Sequence, residues 1–138
     1  MYLIDTDILS LFESGHEAVV KRIHEHSNNI GTTVVTQAEV LRNRCERLLK
    51  ANDEQQILLA QKWFDLSMQV FGQILVLPFD ERASKEFLTL LQLKGIRRIG
   101  RADMLIASIV LANKGTLVTR NRKHFDQVPN LITENWAD

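Results

Sequence analysis

Short runs of consecutive apolar residues constrain the fold of this chain more than any other feature of its sequence. The runs are rich in branched side chains and lack the apolar–polar alternation that marks a half-exposed strand. Continuous apolar runs of this length are typical of strands covered on both faces. The predicted strands are Tyr2 to Ile4, Ile30 to Val35, Ile74 to Leu77, Thr116 to Val118 and Leu131 to Ile132.

Amphipathic helical stretches lie between these runs, as in Ile57-Leu58-Leu59 followed by Trp63-Phe64. Residues Met104 to Ala112 are apolar almost all round, which predicts a central buried helix, and Gly115 is expected to cap its carboxyl end. Strands that alternate with helices predict an α/β fold, here a three-layer α/β/α sandwich with a mostly parallel central sheet. Because no linker or low-complexity tract interrupts the pattern, residues 1–138 are expected to form a single domain.

Composition excludes several classes of protein. The 138 residues include 17 basic and 17 acidic ones, so no overall charge attracts the chain to nucleic acid or to a membrane. A hydrophobic content of 45% excludes a disordered chain. The longest uncharged stretch, Leu66 to Phe79, is shorter than the roughly 18 apolar residues that a membrane span needs. Cys45, the one cysteine, cannot form an internal disulfide, which favours a cytoplasmic location.

Acidic and amide side chains follow the predicted strands. Asp5 comes directly after the first strand, Glu39 is expected in the first turn of the helix after the second, and Asp103 is expected to open the buried helix. Asn121 closely follows the fourth strand. Since ligands of parallel sheets bind beyond the carboxyl ends of the strands, we expect these groups to converge at one edge of the sheet.

Convergent carboxylates repel one another, and burying an unpaired charge is costly, so such a group requires a compensating cation. Oxygen ligands favour Mg²⁺ or Mn²⁺, and the four histidines, with His124 isolated, form no metal-ligand pattern. Asp5 and Asp103 are the predicted metal ligands. Glu39 is expected to contact the ion through water or to orient the attacking water, and Asn121 is an accessory catalytic residue. This chemistry is metal-assisted phosphodiester hydrolysis, which leaves a 3′-hydroxyl and a 5′-phosphate.

Each acid also has a structural interpretation. Asp5 fits a cap of a helix that begins near Asp7. Thr36-Gln37-Ala38-Glu39 fits a capping box in which Glu39 is the reciprocal acid. Asp103 can favour a helix N-terminus electrostatically. Because Asp103 heads an otherwise apolar helix and has few solvated directions to point, the acids together favour a site.

Basic residues are concentrated near the predicted ligands. Lys94 to His124 contains eight basic residues and one acid, whereas the rest of the chain contains nine basic residues and sixteen acids. Cations beside the site are expected to bind a phosphate-bearing partner in a salt-dependent way. Solvated loop ends, or contacts with an acidic segment of a partner protein, are the alternatives. The cations nearest the ligands are Arg97, Arg98, Arg101, Arg120, Arg122 and Lys123, of which Arg98, Arg101, Arg120 and Arg122 are predicted to bind substrate.

Four segments resemble, in order, the motifs of PIN-domain nucleases. They are Tyr2 to Leu9, Thr36 to Glu39, Gly100 to Ala107, and Leu117 to Asn121 followed by His124-Phe125. The segment from Phe125 to Leu131 resembles the tail of the VapC-type toxins of bacterial toxin–antitoxin pairs.

The resemblance implies a parallel sheet between helices, Mg²⁺- or Mn²⁺-dependent endoribonuclease activity, inhibition by a cognate antitoxin protein, and a homodimer. Asp5, Glu39 and Asp103 match the acidic residues of the family. Where many members carry a fourth acid, this chain has Asn121 and His124, which leaves three carboxylates.

One other function remains open on the sequence, and a second is disfavoured. A PIN fold with weakened catalysis would act as an RNA- or protein-binding module. A two-component receiver would require a lysine at the end of a late strand, which Thr119-Arg120-Asn121 does not supply.

Overall fold

Five parallel strands form the central sheet in a computed structural model, which describes residues 1–138 apart from the side chain of Arg97. The strand order across the sheet is β3-β2-β1-β4-β5, which confirms the predicted α/β architecture. The strands are β1 (Tyr2–Ile4), β2 (Ile30–Thr33), β3 (Leu75–Leu77), β4 (Thr116–Val118) and β5 (Ile132–Glu134).

Helices connect the strands and cover the sheet, and the described helices include none long and apolar enough to cross a membrane. They are α1 (Thr6–Glu13), α2 (Glu17–Glu25), α3 (Val34–Lys50), α4 (Glu54–Gln73), α5 (Glu81–Leu91), α6 (Arg101–Ala112) and α7 (Arg122–Phe125). Short 3₁₀ turns at Ser27–Asn29 and Ile96–Arg98 precede β2 and α6.

Two apolar cores lie against the sheet, one on each face. Leu3 and Leu117 belong to one core, and their chain neighbours Ile4 and Val118 belong to the other. Successive side chains of a strand point to opposite faces, so this alternation places apolar residues on both sides of the sheet. The prediction that the short apolar runs are covered on both faces is therefore confirmed for the central strands β1, β2 and β4. It is wrong for the edge strands β3 and β5, where Leu75 and Ile132 are exposed.

The register of β1 against β2 and β4 determines where the three strands end relative to one another. Tyr2 pairs with Ile30 of β2 and with Thr116 of β4. The backbone N–H of Asp5 then donates to the carbonyl of Val118 at 3.1 Å, which continues the ladder one residue past β1. The carboxyl ends of β1, β2 and β4 therefore lie side by side.

The second strand ends earlier than its sequence predicts. The apolar run suggested a strand as far as Val35, but β2 ends at Thr33 and α3 begins at Val34. The hydroxyl of Thr33 accepts a hydrogen bond from the backbone N–H of Thr36 at 3.2 Å, so Thr33 is the N-cap. The capping box opened by Thr36 is therefore wrong, and Glu39 lies beyond the first turn of α3.

The carboxyl end of α6 also differs in detail. The left-handed residue is Lys114, at φ 51°, and the C-cap is Asn113, not Gly115. The N–H groups of Lys114 and Gly115 donate to the carbonyls of Leu111 and Val110, which is a Schellman arrangement. Gly115 also relieves crowding, because a Cβ there would lie 3.2 Å from the carbonyl oxygen of Met1, closer than an ordinary contact.

Candidate active site

One cavity of about 350 Å³ opens at the carboxyl edge of the sheet. It gathers residues from the ends of β1 and β4 and from α1, α3 and α6, which are far apart in the sequence. The lining residues are Asp5, Thr6, Asp7, Glu39, Asp103, Ile106, Asn121 and Phe125. All three predicted carboxylates and the predicted amide therefore line the same cavity.

Cavity size alone does not distinguish this site. A larger cavity of about 410 Å³ lies between α5, the end of α6 and β5. Two more, of about 490 and 560 Å³, lie along α3 and α4. Their lining residues come from those two helices and the connection between them. The smaller cavity differs because several separate elements bring acidic groups to it.

Asp5 is the buried acid of the cavity, with 8% of its surface exposed. Its Oδ1 accepts from the N–H of Ile8 at 3.0 Å, so Asp5 caps α1, as the structural interpretation predicted. Burial raises the pKa of Asp5 to about 6, and the negative charges of Asp7 and Asp103 act in the same direction. Hydrogen bonds from Thr119 and Ile8 oppose this rise in pKa only in part.

Glu39 reaches the cavity from α3, and it is half-buried. The hydroxyl of Thr6, the first residue of α1, donates to Oε1 of Glu39 at 2.8 Å. This hydrogen bond joins α1 to α3 beside Asp5. The other carboxylate oxygen of Glu39, Oε2, is available to accept a hydrogen bond from another group.

Asp103 lies in the first turn of α6, which begins two residues earlier at Arg101. Its Oδ2 is 3.6 Å from Nδ1 of His124, and Nδ2 of Asn121 is 2.7 Å from the same nitrogen. His124, which stands apart from the other histidines in the sequence, is therefore paired with Asn121 and Asp103. The spacing of three residues between Asn121 and His124 at the start of α7 is the signal that identifies this pair.

The predicted substrate-binding arginines are exposed, and the structure gives partners for three of them. Arg120 Nη1 lies 3.6 Å from Oδ2 of Asp7, which places this cation beside the cavity. Arg122 donates to the hydroxyl of Thr133 at 3.3 Å, and the guanidinium of Arg101 lies 5.9 Å from the ring centre of Phe87. Arg98 ends the 3₁₀ turn before α6, and the side chain of Arg97 lies outside the described residues.

The donor set of the cavity suits a hard divalent cation. Asp5 is a buried carboxyl whose ionised form is disfavoured by two like charges, and a cation would relieve that cost. Among the described side chains, no three His, Cys, Asp or Glu residues are grouped closely enough to hold an ion. A cation here would therefore take one or two protein carboxylates and complete its shell with water or substrate oxygens.

Comparison with known proteins identifies the family. The sequence profile of the PIN domain matches residues 2–131. Ribonuclease VapC2 of Rickettsia felis is 53% identical over 51 residues, a segment that covers 37% of this chain and 37% of that protein.

Solved structures share the fold over nearly the whole chain. A chain of VapBC2 from Rickettsia felis, bound to a promoter DNA fragment, matches with a TM-score of 0.77 and 24% identity, over 98% of each chain. A chain of DNA-bound VapBC from Salmonella typhimurium matches with a TM-score of 0.81 and 17% identity, over 98% of this chain and 97% of that one. With the profile match over 2–131, these findings show that the chain belongs to the PIN domain family.

Proposed function

We propose that this protein is a metal-dependent endoribonuclease and the toxin of a toxin–antitoxin pair. The observation that carries the proposal is that three carboxylates from separate elements, Asp5, Glu39 and Asp103, line one cavity. Membership of the PIN domain family and the segment shared with Ribonuclease VapC2 support RNA as the substrate.

Asp5 and Asp103 are the residues that would hold the ion, Mg²⁺ or Mn²⁺. When bound, such an ion polarises a phosphoryl oxygen and lowers the pKa of water, so that hydrolysis proceeds at neutral pH. Asp5 is held in place by the Ile8 N–H and the Thr119 hydroxyl. Asp103 is supported from the exposed side by the imidazole of His124.

Glu39 orients the water that attacks the phosphodiester. Thr6 holds its Oε1, and Oε2 accepts a hydrogen bond from the water on the side of the scissile phosphate. Attack in line with the leaving oxygen releases a 3′-hydroxyl and leaves a 5′-phosphate on the other fragment. Asn121, at the mouth of the cavity, donates to a substrate oxygen.

Cations around the cavity bind the flanking phosphates. Arg120 lies beside Asp7 at the cavity wall, and Arg98 and Arg101 lie just before Asp103 in the chain. Arg122, the residue after Asn121 in the chain, is the first residue of α7. Phosphate contacts of this kind position an RNA strand without reading its bases.

Conservative substitution of the predicted ligands tests the proposal. Asp5→Asn and Asp103→Asn should each lower RNA cleavage about 100-fold or more, because each removes a carboxylate on which the ion depends. Circular dichroism should show an unchanged fold. Asp126→Asn is the matched control, since Asp126 is an exposed acid at the end of α7 and lines no part of the cavity. Undiminished cleavage by both ligand variants, or cleavage that EDTA does not affect, would contradict the assignment.

A binding module with weakened catalysis is the second candidate. It is favoured by one observation, that Asn121 and His124 stand where many family members carry an acid. Titration of Mg²⁺ and Mn²⁺ into purified protein with labelled RNA separates the two functions. The nuclease cleaves RNA as the metal concentration rises, whereas the binding module retains RNA without turnover.

The proposed partners are an antitoxin protein and a second copy of the chain. The solved structures with this fold include VapBC assemblies and a toxin–antitoxin complex from Klebsiella pneumoniae. Co-expression with the product of an adjacent short gene should yield a complex that lacks RNase activity. We place the protein in the cytoplasm, where the exposed thiol of Cys45 stays reduced.

A further inference from the structure

Asp7 lines the cavity, but the proposed mechanism gives it no part. The other carboxylates that line the cavity belong to Asp5, Glu39 and Asp103. Asp5 is buried, whereas 57% of the Asp7 side chain is exposed, so Asp7 lies at the mouth of the cavity. Its Oδ2 is 3.6 Å from Nη1 of Arg120, whose side chain is 51% exposed. A cation that is proposed to bind substrate therefore already faces an anion of its own chain.

The contact between Asp7 and Arg120 is weak enough to be exchanged for another. At 3.6 Å, the two atoms are farther apart than in an ordinary hydrogen bond, and each side chain is about half in water. Exposed ion pairs of this kind contribute little to stability. A phosphate group, in contrast, can accept two parallel hydrogen bonds from one guanidinium. A phosphate of RNA is therefore the stronger partner for Arg120.

The backbone on either side of Arg120 is fixed, so the exchange requires only its side chain to move. Thr119 is fully buried, and its N–H donates to the carbonyl of Glu134 at 2.9 Å. The N–H of Asn121 donates to the hydroxyl of Thr119, also at 2.9 Å. Asp7 is held in the first turn of α1. The guanidinium can therefore turn from Asp7 to a phosphate without a change in the fold.

We infer that Asp7 competes with RNA phosphate for Arg120 and thereby weakens the binding of substrate. The inference rests on the proposed function, because it concerns the RNA that this cavity is proposed to cleave. In the free protein Arg120 is paired with Asp7, and in the complex it binds a phosphate instead. The pair that is lost opposes binding and favours release of the cleaved strand.

The alternative is a purely structural role for Asp7. An acid in the first turn of a helix interacts favourably with the helix dipole, whatever it does at a cavity. In that case, removing its charge lowers the stability of α1 slightly and leaves RNA binding unchanged. Glu54 is the matched control, because it is an exposed acid in the first turn of α4 and does not line the cavity.

Fluorescence anisotropy with a labelled single-stranded RNA of mixed sequence measures the competition. Every variant also carries Asp103→Asn, so that the RNA is bound without being cleaved. Asp7→Asn should tighten RNA binding about fivefold at low salt, because Arg120 is then free for phosphate. The gain should shrink as added salt screens the charges. Glu54→Gln should leave the affinity unchanged, and unchanged or weaker binding by Asp7→Asn would overturn the inference.

A double-mutant cycle shows whether Asp7 acts through Arg120. Arg120→Gln alone should weaken RNA binding, because one phosphate contact is lost. When Arg120→Gln is present, Asp7→Asn should tighten binding by about twofold at most, since only direct repulsion between carboxylate and phosphate remains. A gain as large as in the protein that retains Arg120 would mean that Asp7 repels RNA by itself, and the competition would be overturned.

The outcomes separate this inference from the proposed function. If the Asp103→Asn protein binds RNA and the addition of Asp7→Asn does not tighten that binding, the competition is overturned and the nuclease site is unaffected. If the wild-type protein neither binds nor cleaves RNA, the proposed function fails and the inference fails with it.

Discussion

Asp5 shows how a single residue combines two roles with opposite effects on stability. Its Oδ1 caps α1, which stabilises the helix, but burial raises its pKa to about 6. A carboxyl whose pKa is higher in the folded state stabilises the fold while it is protonated. That contribution is complete below about pH 4 and is lost as the pH rises through about 6.

Replacing this carboxyl by its neutral isostere should therefore stabilise the metal-free protein at neutral pH. Asparagine is an equally good N-cap, so Asp5→Asn keeps the hydrogen bond to Ile8 and removes the buried charge. In EDTA at pH 7.5 we expect a gain of about 2 kcal/mol, seen as a melting temperature several degrees higher. At pH 4 the gain should vanish, since the wild-type carboxyl is then protonated. A melting temperature below the wild-type value at both pH values would contradict this account.

The hydrogen bond from Thr6 to Glu39 makes a separate prediction. Thr6→Val keeps the shape of the side chain and removes the donor, so Glu39 loses the contact that orients it. A hydrogen bond to a charged group contributes about 1.5 kcal/mol or more, which corresponds to roughly a tenfold fall in kcat for RNA cleavage. Thr6→Ser keeps the hydroxyl and is the control. Equal kcat values for the two variants would show that the hydroxyl does not matter.

Strands were predicted best where a short run of neighbouring apolar residues specifies them. The run before Asp5 and the run at Thr116 to Val118 match β1 and β4 residue for residue. The end of β2 was missed because two threonines in succession, Thr32 and Thr33, precede the apolar Val34-Val35, and either a strand or a capped helix suits that pattern. Which one forms depends on the hydroxyl of Thr33, a contact that periodicity does not reveal.

The convergence of the acids was predictable, and their immediate partners were not. Placing Asp5, Glu39 and Asp103 at one edge requires only the parallel sheet and its strand ends. The hydrogen bond to Glu39 and the pairing of His124 with Asp103 join residues far apart in the chain. Such contacts depend on how α1 packs on α3 and α7 beside α6, and no sequence period specifies that packing.

Three helices are joined by a buried polar cluster away from the cavity. The side chain of Glu13, at the end of α1, is fully buried and accepts from Arg44 Nη2 at 3.4 Å and from the Ser67 hydroxyl at 2.7 Å. Arg44 also donates to Ser67 at 3.0 Å, and its guanidinium lies 5.1 Å from the ring of Trp63. The cluster holds the helix pair α3 and α4 against α1.

Removing one partner of this cluster should be costly. Arg44→Met leaves the Glu13 carboxylate buried without its cation, and we expect a loss of about 3 kcal/mol in the free energy of unfolding. The double variant Glu13→Gln with Arg44→Met should recover part of that loss, because the uncompensated charge is gone. Urea denaturation of the single and double variants measures both effects. A double variant that is no more stable than Arg44→Met would contradict the argument.

Over the whole molecule, basic and acidic residues are concentrated in different parts of the chain, although the formal net charge is zero. The excess of basic residues between Lys94 and His124 lies in the segments that flank Asp103 and Asn121. The remaining surface is correspondingly acidic. RNA is therefore expected to bind on the side of the cavity and to be repelled elsewhere.

The salt dependence of RNA binding tests whether RNA binds to the basic segments beside the cavity. With the Asp103→Asn protein, which should bind RNA without cleaving it, each phosphate contact contributes about 0.7 to the slope of log affinity against log salt concentration. Removing Arg98 and Arg101 by substitution with glutamine should reduce the slope by about that amount for each residue. Lys62→Gln on α4 is the control and should leave the slope unchanged. An unchanged slope in the arginine variants would show that the RNA lies elsewhere.

The order of strands across the sheet has a consequence for synthesis of the chain. The strand at the centre, β1, is made first, yet its neighbour β4 follows more than a hundred residues later. Until the ribosome has released β4 and the turn after it, Thr119 and Asn121 cannot meet Asp5. A nascent chain therefore carries no assembled cavity, and the proposed nuclease site does not exist until the segment after β4 has emerged.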